Sequence, residues 1–406
     1  MNGRCLSCPS GETEVVLSFG LTPLANALRA MDRLDEPERR YPLNLAVCRH
    51  CSLTQLAETV EPSLLFTDYP YLSSYSETML RHAEATAAVL IRRHALDSRS
   101  LAVELGSNDG YLLQYFHRAG VQVLGIDPSR AACAVARGKG IPMREAFFNA
   151  ALSAELLREG RRADLIIANN VMAHVPDLND VVSGIGQLLS PSGVFVMETP
   201  YLRNLVDDLE FDTIYHEHVF YYSLTALSHL FARHNLSIVD VERLPVHGGT
   251  LRVTAARSGS AAPRLAVAAL QADEASWGVA SVDTYRSFAR RVTRAIEALR
   301  SLIRERRARG RRLAAYGAAA KGAMLLSALD LDDELEFVVD RNPRKQGWCL
   351  PGTRLPIYPT DRLLHEMPDD VLLLTWNLAD EILSQERAYR ERGGQFIVPI
   401  PEPHVV

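Results

Sequence analysis

Short apolar runs recur along the middle of the chain, each followed by a longer stretch whose apolar residues fall three and four apart. The runs SLAVELG from Ser100, VQVLGID from Val121, ADLIIANNV from Ala163 and GVFVMETP from Gly193 read as strands. Their alternation with amphipathic stretches is the β-α-β rhythm of a parallel sheet with helical crossovers, and predicts a doubly wound α/β unit. LSIVDVERLP from Leu236 and GGTLRVTAARS from Gly248 read as two further strands, joined through His247, Gly248 and Gly249, that extend the sheet antiparallel. Ahead of this unit lies a helical pattern over Glu77–Arg93, and residues 1–60 are short on helix periodicity. A connector rich in Ser, Gly, Ala and Pro, Ser258–Pro263, leads into Phe288, Val292, Ile296, Leu299 and Ile303 at helical spacing, predicting a long helix that bridges domains. A second α/β rhythm follows in RRLAAYGAAAKG, LEFVVDRNP, DVLLLTWNLADEI and QFIVPIPEP, the pattern of a smaller Rossmann-like unit. Three parts are expected: 1–75, 76–258 and 259–406.

Length agrees, since 406 residues at about 150 per domain make two or three domains. The 44 Lys+Arg against 49 Asp+Glu leave a formal charge of -5, which argues against a nucleic-acid footprint over the whole surface. Arginines do cluster between Arg290 and Arg312, where a solvated face is the expected reading and an anionic docking face the alternative. No apolar run approaches the roughly 18 residues needed to span a bilayer, and MNGRCLSCPSGETEV lacks the basic-then-apolar layout of a secretory leader. A cytoplasmic protein with no membrane partner is expected, in a compartment that keeps cysteines reduced.

That turns attention to the paired cysteines. Cys5-x-x-Cys8 and Cys48-x-x-Cys51 are each spaced to point two thiolates at one soft cation, and two such turns complete a four-sulfur tetrahedron. Zinc is expected there, with no open coordination position and hence a structural role. A redox dithiol is the competing reading for either pair alone.

Glu104-Leu-Gly106-Ser-Asn108-Asp109-Gly110 follows the first strand and opens a helix, where a doubly wound sheet binds its cofactor. Its carboxylates suit a cationic ligand better than a pyrophosphate. Asp127 ends the second strand, where an acid can accept from both ribose hydroxyls of an adenosine. This combination resembles class I S-adenosylmethionine-dependent methyltransferases. Asn169 and Asn170, ending the fourth strand, fall on the same side, and the N-P-P-Y signature of base amino-group methylation is absent.

Beyond the fifth strand comes Asp212-Thr-Ile-Tyr215-His216-Glu217-His218. Alone it reads as a solvated loop, a metal-binding H-x-H or an active loop. Together with the cysteine pairs, the cofactor loop, His174, and a C-terminal unit carrying Gly317-Ala-Ala-Ala-Lys321-Gly322 and Asp340-Arg341-Asn-Pro-Arg-Lys345-Gln-Gly347, the chain is similar nearly throughout to the sugar C-methyltransferases of deoxysugar-antibiotic biosynthesis. The resemblance implies a class I methyltransferase core flanked by a zinc-binding N-terminal domain and a smaller C-terminal Rossmann-like domain. It implies S-adenosylmethionine and structural zinc as cofactors, and a dTDP-linked 4-keto-deoxysugar methylated beside its ketone. His218 matches the family's base, and a histidine titrating near neutrality suits that task. Glu217 is expected to orient substrate or base, and Tyr215 and His174 to donate to the developing enolate oxygen. Tyr69 or Tyr71, with Ser73 and Ser74, matches the aromatic entry to the sugar pocket. Lys321, Arg341, Lys345 and Asn377 are expected to hold the diphosphate end. Competing readings are an O- or N-methyltransferase of another small metabolite and a zinc-ribbon nucleic-acid methyltransferase.

Overall fold

Strand Leu101–Leu105 is buried along its whole length, as the near-continuous apolar run of a central parallel strand requires. The computed structural model describes residues 2–9, 11–66, 72–75, 77–175, 177–246, 248–331 and 334–406. Tyr69 and Tyr71 lie outside the described residues. Leu101–Leu105 sits in a seven-stranded sheet of order 236–244, 250–257, 189–200, 163–169, 101–105, 122–127, 143–145. Thr250–Arg257 runs antiparallel to both its neighbours, and the pairs from Leu189–Pro200 to Met143–Glu145 are parallel. This is the class I methyltransferase arrangement. The strand order reverses between 101–105 and 163–169, so their carboxyl ends open the crevice in which such sheets bind ligands.

The N-terminal sheet is antiparallel, in the order 2–4, 12–22, 41–48, 54–56, 220–221. Its last strand, Phe220–Tyr221, belongs by sequence to the methyltransferase unit, just after His218. A third sheet, ordered 357–358, 338–339, 313–316, 370–373, 395–398, 404–405, is parallel except at its last strand.

Helix Val282–Ala308 buries Tyr285, Phe288, Val292, Ala295, Leu299 and Ile303 along one stripe. That stripe packs on strand Glu12–Thr22, helix Leu202–Asp207 and helix Ala320–Leu329, one from each part of the chain. Much of the arginine cluster is spent inside the molecule. Arg306 and Arg311 both hold the fully buried Asp370, at 2.5 and 2.6 Å, Arg300 donates to the Leu329 carbonyl, and Arg312 pairs with Glu336. Burial would raise the Asp370 carboxyl, and the two guanidiniums overcome it to hold the group below the usual range. Among the described residues no helix is long and apolar enough to cross a membrane.

Candidate active site

The four paired cysteines are buried and their sulfurs all lie within 4.8 Å of one another. The Cys5–Cys51 and Cys8–Cys48 separations are 3.7 and 3.5 Å. A sulfur tetrahedron around zinc, with bonds near 2.3 Å, has edges of about 3.8 Å. The donor set therefore fits zinc. Main-chain N–H groups of Ser7 and Cys8 point at the Cys5 sulfur, and those of His50 and Cys51 at the Cys48 sulfur, so each turn also steadies one thiolate.

At the sheet's switch point a cavity of about 440 Å³ opens from the loop after strand Leu101–Leu105. Gly106, Asn108, Asp127, Asn169 and Asn170 line it. Asp127 accepts the Asn108 and Ser129 main-chain N–H groups at 2.8 Å each, tying the loop to the second strand. Burial raises its carboxyl while these two bonds oppose the rise. Gly106 has φ +61, and a Cβ there would come 2.3 Å from the Val171 side chain, so the loop needs glycine. The Asn169 side-chain oxygen is buried with no hydrogen-bond partner among the described residues, and faces a cavity that could supply a donor. These features fit S-adenosylmethionine.

Three neighbours of that loop are placed differently from expectation. Glu104, Asp109 and Gly110 do not line the cavity. Glu104 accepts from Ser107 Oγ at 2.8 Å, and burial, with Asp127 and Asp109 nearby, pushes its carboxyl well above the usual range. Asp109 is paired with Lys139 at 3.0 Å.

Deeper in the same cavity are His174, Thr213, Tyr215 and His218. His218 Nδ1 lies 2.8 Å from the Thr213 carbonyl, which can only accept, so Nδ1 carries the proton. Nε2 then presents a lone pair, and the Tyr215 hydroxyl donates to it at 3.0 Å. Burial, with His174 adding to it, pushes His218 down to about 3. The sequence expectation of a histidine titrating near neutrality is corrected accordingly: desolvation keeps the ring neutral. His174 Nδ1 lies 2.6 Å from the Glu217 carbonyl, and burial lowers its affinity for a second proton despite backbone carbonyls that favour one. Its ring packs against that of His218, centres 4.9 Å apart, and it also lines the cavity.

Glu217 is also placed outside the cavity lining. Its carboxylate points away from the cavity to Asn26 of the N-terminal unit, at 2.6 Å, and burial pushes it up to about 7. His216 reaches the same unit through the Pro42 carbonyl. The histidine-rich loop is thus anchored to the N-terminal unit by His216 and Glu217, while Thr213, Tyr215 and His218 line the cavity.

At the far end the C-terminal unit contributes Lys321 and Asn377. Lys321 donates to Asn377 at 3.1 Å, lies 3.5 Å from the fully buried Asp212, and stacks 4.2 Å from the Trp376 ring centre. Trp376 also donates to Asp212, at 2.7 Å. Ser73 lines the cavity and its main-chain N–H bonds the Asn108 side chain, whereas Ser74 does not line it. Arg341 is exposed outside the cavity. Lys345 is half-buried and donates to the Ala318 carbonyl at 2.7 Å, which makes it a brace of the Gly317 loop. Sequence reasoning passed over Thr213, Trp376 and Glu210, all placed around this cavity or its anchors; a tryptophan and two carboxylates beside the His-rich run were the available signal.

Three family descriptions match consecutive parts of the chain: "Putative zinc binding domain" over residues 5–66, "Methyltransferase domain" over 79–241, and "C-methyltransferase C-terminal domain" over 245–401. The C-methyltransferase NovU of Streptomyces niveus is 40% identical over 405 residues, covering 99% of this chain and 96% of that one. A ubiquinone biosynthesis O-methyltransferase of Rhodopseudomonas palustris (strain BisA53) is 30% identical over 97 residues, 24% of this chain and 38% of that one. Among solved structures, magnesium protoporphyrin IX methyltransferase from Synechocystis PCC 6803 with bound SAH is 16% identical, with a TM-score of 0.36, over 44% of this chain and 83% of that one. With the NovU match running from the cysteine turns through the cofactor crevice to the last sheet, the chain belongs to the family of S-adenosylmethionine-dependent C-methyltransferases that includes NovU.

Proposed function

We propose that this enzyme methylates a carbon next to the ketone of a dTDP-linked 4-keto-deoxysugar, with C-3 favoured over C-5. The observation that carries the reading is the single cavity joining the Asp127 crevice, the Tyr215–His218 pair and the Lys321–Asn377 end contributed by the C-terminal unit. A substrate with a reactive ring at the Tyr215–His218 pair and an anionic tail at Lys321 fits that lining.

Carbon becomes nucleophilic only after a proton leaves it, and the proton is acidic only beside a carbonyl. His218 Nε2 holds the lone pair that takes it. A ring held near 3 is by itself a weak base, but here the acceptor becomes a cation as the substrate becomes an enolate, and each stabilises the other in a medium of low dielectric. As the C–H proton takes the Nε2 lone pair, the Tyr215 hydroxyl gives up that acceptor and donates instead to the enolate oxygen. S-adenosylmethionine, when bound, supplies an electrophilic sulfonium methyl. Asp127, Asn169 and Asn170 would hold it, and Lys321 and Asn377 would hold the nucleotide end of the sugar. The cysteine site, with four protein ligands, is assigned no part in the chemistry.

The test is incubation with dTDP-4-keto-6-deoxyglucose in deuterated water. Methylation beside the ketone predicts loss of one ring proton to solvent, and a methyl on carbon in the product. Methylation on oxygen or nitrogen, with no proton washout, would refute it.

A further inference from the structure

Glu210 lies between helix Leu202–Asp207 and the turn Phe211–Thr213, and its side chain is not part of any role described above. It is only 7% exposed, yet it lines the cavity. Its carboxylate has no hydrogen-bond partner among the described residues, whereas Asp370, Glu198 and Glu274 are engaged by arginine, histidine or main-chain N–H groups, and Asp109 and Asp212, each with one unpaired oxygen, hold Lys139 or Trp376 with the other. A buried polar group left unpaired costs about 1–3 kcal/mol or more, so it persists where a ligand completes it.

The enclosure is built for this group. Gly248, at φ +81, closes over the carboxylate so tightly that a Cβ would fall 2.0 Å from Oε1. The hairpin between Leu236–Leu244 and Thr250–Arg257 therefore covers one side of Glu210, and the cavity is its open side. The charged groups bearing on it are Lys321 from helix Ala320–Leu329, Asp212 from the adjoining turn, and Asp208 after the preceding helix. Burial pushes the carboxyl up to about 7, with Lys321 pulling the other way and the two aspartates adding to the rise. Lys321 is already held by Asp212 and Asn377, so it does not close on Glu210.

We propose that Glu210 accepts a hydrogen bond from a hydroxyl or amino substituent on the sugar ring and so makes the enzyme selective for rings that carry that donor. This rests on the keto-sugar reading above. A site whose buried acceptor is satisfied only by the substrate's donor rejects an analogue lacking it far more strongly than an apolar pocket rejects one lacking a methyl group. Glu210 is a specificity residue here, and proton abstraction stays with His218.

The experiment compares wild type, Glu210→Ala and Glu210→Gln on dTDP-4-keto-6-deoxyglucose and its 2-deoxy and 3-deoxy analogues, with S-adenosylmethionine affinity measured by calorimetry. Wild type should lose tenfold or more in kcat/KM on one of the deoxy analogues. Glu210→Ala should erase that penalty, raising KM for the full substrate while binding S-adenosylmethionine as wild type does. Glu210→Gln keeps an acceptor oxygen and should retain part of the discrimination, which also covers the case of an alanine variant that does not fold. An undiminished penalty in both variants overturns the proposal. So does a hundredfold loss of ring-proton exchange in Glu210→Gln at unchanged KM, which would make Glu210 the base. If wild type methylates no dTDP-4-keto sugar at all, the substrate reading falls and takes this one with it.

Discussion

The Tyr215 hydroxyl donates to Nε2 of His218 across 3.0 Å, and the Thr213 carbonyl on the opposite side of the ring fixes the tautomer that makes this possible. On the proposed mechanism, base and donor are one unit in which a proton arriving on histidine turns the tyrosine hydroxyl toward the enolate. His218→Asn should lower the rate about 10²–10⁴-fold while still binding both ligands, with ring-proton exchange falling in parallel. Tyr215→Phe should keep exchange measurable but slower, by an amount consistent with one enolate donor, about 3 kcal/mol at most. Wild-type exchange in His218→Asn, with failure only at methyl transfer, would make His218 a positioning residue. Because burial holds His218 near 3, its neutral form is lost only as pH falls through that value, so no limb of the rate profile near 6.5 should disappear in Tyr215→Phe.

Glu217 gives the fold a pH dependence of defined sign. Burial raises its carboxyl from 4.5 to about 7, with the Asn26 amide opposing. Between those values the native state keeps a proton that the unfolded chain has lost, so the contribution is whole below about 4.5 and declines as pH rises through about 7. Glu217→Gln removes that decline. Urea unfolding should therefore show the variant gaining on wild type between pH 5 and pH 8, and an equal difference at both pH values would count against the assignment.

Cofactor affinity should depend on Asp127 twice over, because its carboxylate both faces the cavity and holds the Asn108 and Ser129 N–H groups. Asp127→Ala should weaken S-adenosylmethionine binding at least tenfold, about 1.4 kcal/mol, by calorimetry. Unchanged affinity would remove Asp127 from the site.

What could be read from the chain follows what period carries. Four parallel strands, the hairpin, helix Glu77–Arg93 and the stripe of helix Val282–Ala308 all announce themselves by apolar spacing, because each buries a regular face. Strand Met143–Glu145 does not, being a three-residue edge strand with no fully buried position. The cavity-lining members Asp127, Asn108, His218 and Lys321 sit at strand ends or beside motifs, where topology predicts a crevice. Side-chain direction was out of reach. Glu217 and His218 are adjacent, yet one faces Asn26 and the other the cavity, and that depends on contacts distant in sequence: strand Phe220–Tyr221 pairs with Thr54–Leu56, and His216 meets the Pro42 carbonyl across 174 residues. Glu210 was missed because a lone glutamate in a loop carries no period at all.

The N-terminal metal site and the active loop share a strand pair. Thr54–Leu56 begins three residues after Cys51 and pairs with Phe220–Tyr221, while the Leu56 N–H bonds the Val219 carbonyl at 2.8 Å. Purified protein should hold one zinc per chain. Stripping it should raise amide exchange at residues 54–56 and 219–221 while leaving 101–105 protected, because the knuckle anchors only the first set. Unchanged protection at 219–221 in metal-free protein would show that the loop does not depend on the metal.

Lys321 is placed to test the division of labour between the two ligand-binding ends. Its ammonium lines the cavity at the C-terminal unit and is held there by Asp212, Asn377 and the Trp376 ring, well removed in role from the Asp127 crevice. Lys321→Ala should raise KM for the nucleotide sugar tenfold or more with kcat less affected, the mark of lost uniform binding, and should leave S-adenosylmethionine affinity unchanged. It also strips a partner from the fully buried Asp212, so a lower melting temperature is expected alongside. Lys321→Arg separates the two effects: it keeps a positive charge near Asp212 and should restore stability, while its different donor geometry should recover only part of the KM. A fall in cofactor affinity with KM for the sugar untouched would mean that the two ends of the cavity had been assigned the wrong way round.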